Sequence, residues 1–234
     1  MTRRLYLEDS YQRDFDSEVV ACDDAWCRLA ATAFHPGGGG QPCDRGQLVI
    51  ADEPLDVTAV REDGAGVWHQ LARPVALGRA AHGALDWPHR YAIMRHHALL
   101  HVVNTIAFRE LGALITGAQI GVDRSRIDLR LVDFSRERLP EVEARVNEVI
   151  ARDLPLTAAT ISEDDFRRRP DLTRTLDVKP PIVDGCVRIV EIAGFDAQAC
   201  GGTHVHTTGE IGRVRLARFD NKGKDNKRFY WETV

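Results

Sequence analysis

Short runs in which apolar and polar residues alternate, separated by turn-forming residues, fill the first third of the chain. Glu18–Cys22, Trp26–Phe34, Gly46–Ile50, Asp56–Val60, Val67–Leu71 and Arg79–Leu85 each read as a strand. That spacing predicts a small barrel-like or sandwich unit ending near Asp86-Trp87-Pro88. The period then changes. From Arg90 to about Leu111, residues such as Met94, Ala98, Val102 and Ile106 recur at helical intervals. Val142, Val146, Val149 and Ile150 mark a second helix over Pro140–Arg152. Further strands are predicted at Leu156–Ile161, Val187–Ile192, Glu210–Phe219 and Arg228–Val234, with a short charged helix at Glu163–Arg169 stopped by Pro170. Helices lying on an antiparallel sheet make an α+β unit. The expectation is an α+β protein with a β-barrel-like domain over residues 1–88 and an α+β domain over 89–234.

Composition narrows the class. A chain of 234 residues with 44% apolar and 28% charged residues has the make-up of a folded globular protein. No apolar run approaches the roughly 18 residues of a membrane span, and the first residues lack the apolar core of a signal peptide, so a cytoplasmic enzyme without a membrane partner is expected. The five cysteines, Cys22, Cys27, Cys43, Cys186 and Cys200, are odd in number and read mostly as small buried thiols. A formal charge of −4 excludes a globally basic nucleic-acid binder, so any RNA contact needs a local patch. The C-terminal stretch supplies a candidate: Arg213, Arg215, Arg218, Lys222, Lys224, Lys227 and Arg228 outweigh Asp220 and Asp225. A solvated basic surface is the alternative.

The candidate chemistry begins in the long helix. His97 and His101 are four residues apart, so both imidazoles share one helical face. Cys200-Gly201-Gly202-Thr203-His204 offers a thiolate and a third imidazole across a turn that two glycines are expected to tighten through positive φ. Three imidazoles and a sulfur suit Zn²⁺, which favours tetrahedral nitrogen and sulfur ligation. Four ligands held permanently make a structural site, whereas one that engages three or loosens one activates water, and both readings stand. No side chain is assigned as general base beyond that water. His96 and His206 flank the motifs as supporting or solvent-exposed groups.

These residues resemble the editing site shared by alanyl-tRNA and threonyl-tRNA synthetases and by the free-standing AlaX proteins. The likeness extends to Phe34–Gly46 with its run of four glycines, to Thr116–Gln119, to Val190–His204, to Thr208–Gly212 and to Asn221–Arg228. It implies a trans-acting deacylase with a zinc site at His97, His101, Cys200 and His204 and a mischarged tRNA as partner. Seryl-tRNA(Ala), with glycyl-tRNA(Ala) beside it, is the implied substrate. Gly38, Gly39, Gly40 and Gln41 become candidate contacts to the aminoacyl end or terminal adenosine. Ala98 and Thr203 become candidates for the amino-acid pocket, and Arg213, Arg215, Lys222, Lys224, Lys227 and Arg228 for RNA.

Two positions depart from the family pattern. Relatives often carry threonine or serine directly after the first histidine, where this chain has Ala98, and His35 stands at a frequent tyrosine. Losing that hydroxyl keeps open an editor of another mischarged tRNA, such as a threonine analogue like fluorothreonine on tRNA(Thr). A non-catalytic, zinc-stabilised RNA-binding module is the remaining alternative.

Overall fold

Seven antiparallel strands form the sheet of the first unit, in the spatial order Glu53–Val57, Gly46–Ile50, Ala80–Leu85, Asp14–Asp23, Trp26–Leu29, Gly66–Gln70 and Ala59–Asp63. The computed structural model describes residues 1–132, 134–175, 180, 182–183 and 185–234, in two units, Met1–Ile93 and Met94–Val234. Alternation along the strands sends Leu48 with Ile50, and Leu55 with Val57, into the core beside Phe15, Val19, Leu29 and Phe34. Gly83 lies where a Cβ would come within 2.3 Å of the Phe15 ring, so a strand glycine is what admits that ring. The segment expected as one strand at Asp56–Val60 is two strands meeting at Thr58, and Trp26–Phe34 likewise ends its main strand at Leu29.

His69 is fully buried in this unit, with its ring nitrogens 2.8 Å from Thr32 Oγ1 and 3.3 Å from the Cys27 carbonyl oxygen. Burial lowers its pKa from 6.5 to about 4, and the Cys27 carbonyl only partly opposes this. The unfolded chain takes up the proton near pH 6.5 and the folded chain only near 4. Stability is therefore intact above pH 6.5 and declines as pH falls towards 4, by about 3 kcal/mol at most from this residue. His69→Gln, which cannot titrate, is expected to show a flatter loss of urea stability between pH 7 and pH 5. Parallel pH profiles for the two proteins would remove His69 as a source of acid sensitivity.

The helix Trp87–Leu111 opens with Asp86 accepting from the His89 amide at 3.2 Å and with Pro88 in its first turn, both favourable start signals. The boundary between the units falls within it, after Ile93. Its apolar period marks one face, yet every residue from His96 to Ala107 is buried, because protein surrounds that part of the helix. Among the described residues no helix is long and apolar enough to cross a membrane.

The second unit holds a four-stranded antiparallel sheet ordered Leu114–Gln119, Arg124–Arg130, Asn226–Thr233 and Val214–Asn221. A second sheet pairs Leu156–Ser162 with Cys186–Ile192, which also pairs with Ile182–Val183 and Asp196–Ala199. Helix Leu139–Ala151 buries Val142, Val146, Val149 and Ile150, the face its period predicts. The architecture is α+β, as the sequence indicates. Among the described residues of this unit, four strands lie outside the sequence reading: Leu114–Gln119, Arg124–Arg130, Ile182–Val183 and Asp196–Ala199. In the second of these, Asp128 pairs both with Arg126 of its own strand and with Arg228 of the neighbouring strand. The strand expected from Glu210 starts only at Val214. Thr207 and Glu210 form a capping box on a short helical turn, Thr208–Ile211, and Gly212 leaves it at φ 74°.

Candidate metal centre

The four candidate ligands come together from two elements of the second unit. His97 and His101 stand one turn apart on the long helix, and Cys200 follows directly after strand Asp196–Ala199. Cys200 Sγ lies 3.4 Å from His97 Nε2 and 3.7 Å from His204 Nε2, and His101 Nε2 lies 3.2 Å from His204 Nε2. All four donor atoms fall within 4.8 Å of one another. Bonds of about 2.0–2.1 Å to nitrogen and 2.3 Å to sulfur at tetrahedral angles separate ligand atoms by about 3.3–3.6 Å. The three close spacings match that requirement, and the cluster can hold a metal ion.

Protonation favours binding at His101. Burial lowers its pKa to about 4 against the opposing charge of Asp196, so the imidazole is neutral, the form that ligates. Its Nδ1 is buried without a hydrogen-bond partner among the described residues. Burial pushes the Cys200 thiol up, while the Gly202 N–H and the Arg188 guanidinium work in the other direction.

The turn is built differently from the sequence reading. Positive φ occurs at Gly37, Gly38, Gly39 and Gly40, whereas Gly201 and Gly202 do not adopt it. Arg188 Nη1 instead donates to the carbonyl oxygens of Cys200 at 3.0 Å and Gly202 at 2.9 Å, and the Cys200 amide donates to the Arg188 carbonyl at 3.0 Å. One guanidinium thus clamps the loop between its two ligands. Beyond His204, Glu210 accepts from the amides of His206 and Thr207, and the Leu156 amide donates to the His206 carbonyl at 2.7 Å. Arg95 donates to the Ile211 carbonyl, tying the helix to the same segment. His206 is exposed, and His96 is buried with both ring nitrogens unpartnered among the described residues.

Ala98 and Thr203 are both fully buried, and the Thr105 hydroxyl donates to the His101 carbonyl at 2.8 Å. In the first unit, Gly38 and Gln41 exchange two backbone hydrogen bonds of 2.9 Å, closing a tight turn over Gly39 and Gly40. A Cβ on Gly38 or Gly39 would meet nothing within 4 Å, so this glycine backbone is open on its outer side. Its base is fixed by Asp44, which accepts from the His35 amide at 2.5 Å and pairs with Arg90.

The basic C-terminal residues are not equivalent. Arg215 pairs with Glu232, Arg218 with Asp220, and Arg228 bidentately with Asp128. Lys227 is buried and donates to Asn221 Oδ1 and to the carbonyls of Gly223 and Lys224. Lys222 lies 4.0 Å from Asp220. Arg213 and Lys224 are exposed and form no side-chain ion pair among the described residues. Sequence reasoning passed over Arg188, Asn104, Gln198 and the Asp44–Arg90 pair. The signals were an arginine inside the apolar run Val187–Ile192, an asparagine inside a buried helix, and polar residues alternating with alanine over Asp196–Ala199.

Comparison with known proteins agrees with the geometry. Residues 187–230, which contain Cys200 and His204, match the family described as the threonyl and alanyl tRNA synthetase second additional domain. The chain is 36% identical to the alanyl-tRNA editing protein AlaX-M of Methanosarcina barkeri, with all of both chains covered. It is 37% identical to AlaX-M of Saccharolobus solfataricus, over 99% of this chain and 98% of that one. It is also 36% identical to the alanine–tRNA ligase of Pyrococcus furiosus, over 93% of this chain and 24% of the ligase.

Proposed function

Because the chain belongs to the alanyl-tRNA editing protein family, we propose that it is a zinc-dependent deacylase that hydrolyses mischarged tRNA(Ala) in trans, acting on seryl-tRNA(Ala) and also on glycyl-tRNA(Ala). The observation that carries the zinc reading is the convergence of three imidazoles and one thiol within 4.8 Å, with three of their spacings near those of a tetrahedral site. His97, His101, Cys200 and His204 would hold the ion. Zinc bound there supplies a water of lowered pKa or polarises an ester carbonyl. The protein contributes order around that chemistry. Arg188 holds the Cys200–Gly202 loop, Glu210 fixes the backbone beyond His204, and burial keeps His101 neutral. The open glycine turn at Gly38–Gln41 is suited to close approach of the aminoacyl end or terminal adenosine. Arg213, Lys222 and Lys224 are the cations we assign to RNA phosphates, because Arg215 and Arg228 are paired and Lys227 is buried. The activity belongs to translation fidelity and to the cytoplasm. Chelation should abolish hydrolysis of seryl-tRNA(Ala) and added Zn²⁺ should restore it. Full activity in the stripped protein would rule the reading out.

Selectivity is expected to differ from that of threonine-bearing relatives. Ala98 is fully buried, so a hydroxyl restored there would enter a closed environment. A buried hydroxyl left unpaired costs about 1–3 kcal/mol, so a substrate serine that finds a partner at position 98 gains up to about that much. Since serine and threonine share the β-hydroxyl, their ratio turns on bulk: Ala98→Thr adds two heavy atoms at a closed position and is expected to raise the ratio of kcat/KM for seryl over threonine-type esters by about tenfold. An unchanged ratio would show that position 98 does not set the preference.

A further inference from the structure

The long helix and the strand leading to Cys200 meet through a stack of polar layers. His101, Asn104 and Phe108 follow one another along a single helical stripe, and Asp196 and Gln198 occupy alternate positions of the facing strand, with Cys200 just past its end. Asn104 Nδ2 donates to Gln198 Oε1 at 3.0 Å, Gln198 Nε2 donates to Asp196 Oδ2 at 2.5 Å, and Arg174 Nη2 donates to Asp196 Oδ1 at 3.0 Å. The Arg174 guanidinium lies 4.1 Å from the centroid of the Phe108 ring. Asn104, Gln198, Asp196 and Arg174 are all buried. The other face of the strand, Ala197 and Ala199, packs on the apolar cluster of Leu172, Val187 and Ile189.

The direction of these hydrogen bonds is imposed from one end. A carboxylate only accepts, so Asp196 draws the NH₂ of Gln198 towards itself and turns its carbonyl to Asn104. Asn104 must then donate, which leaves its Oδ1 as an acceptor one turn from His101. Asn104 Oδ1 and His101 Nδ1 are both buried without a partner among the described residues. An apolar pair would pack this interface without desolvating two amides. Packing alone does not account for the layer.

We propose that Asn104 and Gln198 are positioning residues for the metal centre. Their amide contact sets the register between the helix bearing His97 and His101 and the strand that delivers Cys200. Asn104 Oδ1, buried one turn from His101 and not bonded to it here, is the acceptor that His101 Nδ1–H would take up when the imidazole ligates, the kind of outer contact that orients a metal-bound ring. The inference rests on reading the four donors as a metal site.

The test compares the full-length wild type with Asn104→Leu, the double variant Asn104→Leu/Gln198→Met, and the exchange Asn104→Gln/Gln198→Asn. Co²⁺ affinity, the Co²⁺ d–d absorption bands and the thermal midpoint of the metal-free protein are read for each. Asn104→Leu should weaken Co²⁺ binding by about tenfold or more and shift the bands. The double variant removes the amide pair but also takes the Gln198 donor from Asp196 Oδ2, so it should recover the metal-free midpoint only in part and the affinity not at all. The exchange variant should recover both in part. A double variant that regains affinity together with stability would reduce the pair to packing. Asn104→Leu with unchanged affinity and bands but an altered seryl-to-glycyl preference would move Asn104 to the substrate and overturn the proposal. Wild-type protein that binds no Co²⁺ would overturn the metal reading itself, and this inference with it.

Discussion

Replacing Cys200 with alanine is expected to lower kcat/KM for ester hydrolysis by at least about a hundredfold, since bound metal contributes several kcal/mol to charge stabilisation in such reactions. The thiol stands 3.4 Å from His97 and 3.7 Å from His204, so its loss opens one side of the donor cluster. Affinity for tRNA should stay within about twofold, because the exposed cations assigned to phosphate lie elsewhere and their counterion release is unaffected. Metal content should fall in parallel with activity. Single-turnover deacylation, elemental analysis and tRNA binding on one preparation check all three. A variant that keeps full activity with no bound metal would exclude a zinc mechanism.

A comparably large effect is expected in the first unit, on stability. Arg90 is fully buried and donates to both Asp44 oxygens, to the Ala33 carbonyl at 2.5 Å and to the Ser10 carbonyl at 2.9 Å. Removing one partner strands a buried charge, which costs about 3–5 kcal/mol. Asp44→Ala should therefore lose about that much in urea unfolding, and it frees the His35 amide that anchors the glycine turn. Asp44→Leu/Arg90→Met, which removes both charges, should recover part of the loss, the remainder reflecting the Ala33 and Ser10 carbonyls and the His35 amide left without these partners. A single variant within about 1 kcal/mol of wild type would mean that the pair is relaxed by solvent.

What could be read from the sequence follows from which interactions are local. The helical spacing of His97 and His101 and the short loop from Cys200 to His204 are visible because each pair is set by nearby backbone. Helix Leu139–Ala151 was legible for the same reason, its four buried aliphatics falling on one stripe. Strand Arg124–Arg130 was not, because the partners of Arg124 and Asp128, Glu232 and Arg228, lie about a hundred residues away on the strand it pairs with. The residues of the basic C-terminal stretch are adjacent along the chain, but that Lys227 is turned inward and that Arg215 pairs with Glu232 is set by the fold and not visible in the sequence. The glycines of the Cys200 loop suggested a left-handed turn, whereas Arg188 holds the loop from a neighbouring strand. Asn104 and Gln198 each look like an isolated polar residue until the fold sets them side by side.

The most direct test of the proposed activity is kcat/KM for the zinc-loaded wild-type protein on seryl-, glycyl- and alanyl-tRNA(Ala) and on threonyl- and fluorothreonyl-tRNA(Thr). Rapid hydrolysis of seryl-tRNA(Ala), slower hydrolysis of glycyl-tRNA(Ala), sparing of alanyl-tRNA(Ala) and loss of all turnover on chelation is the predicted result. Binding of every tRNA without hydrolysis of any, or hydrolysis confined to the threonine-type esters, would contradict it.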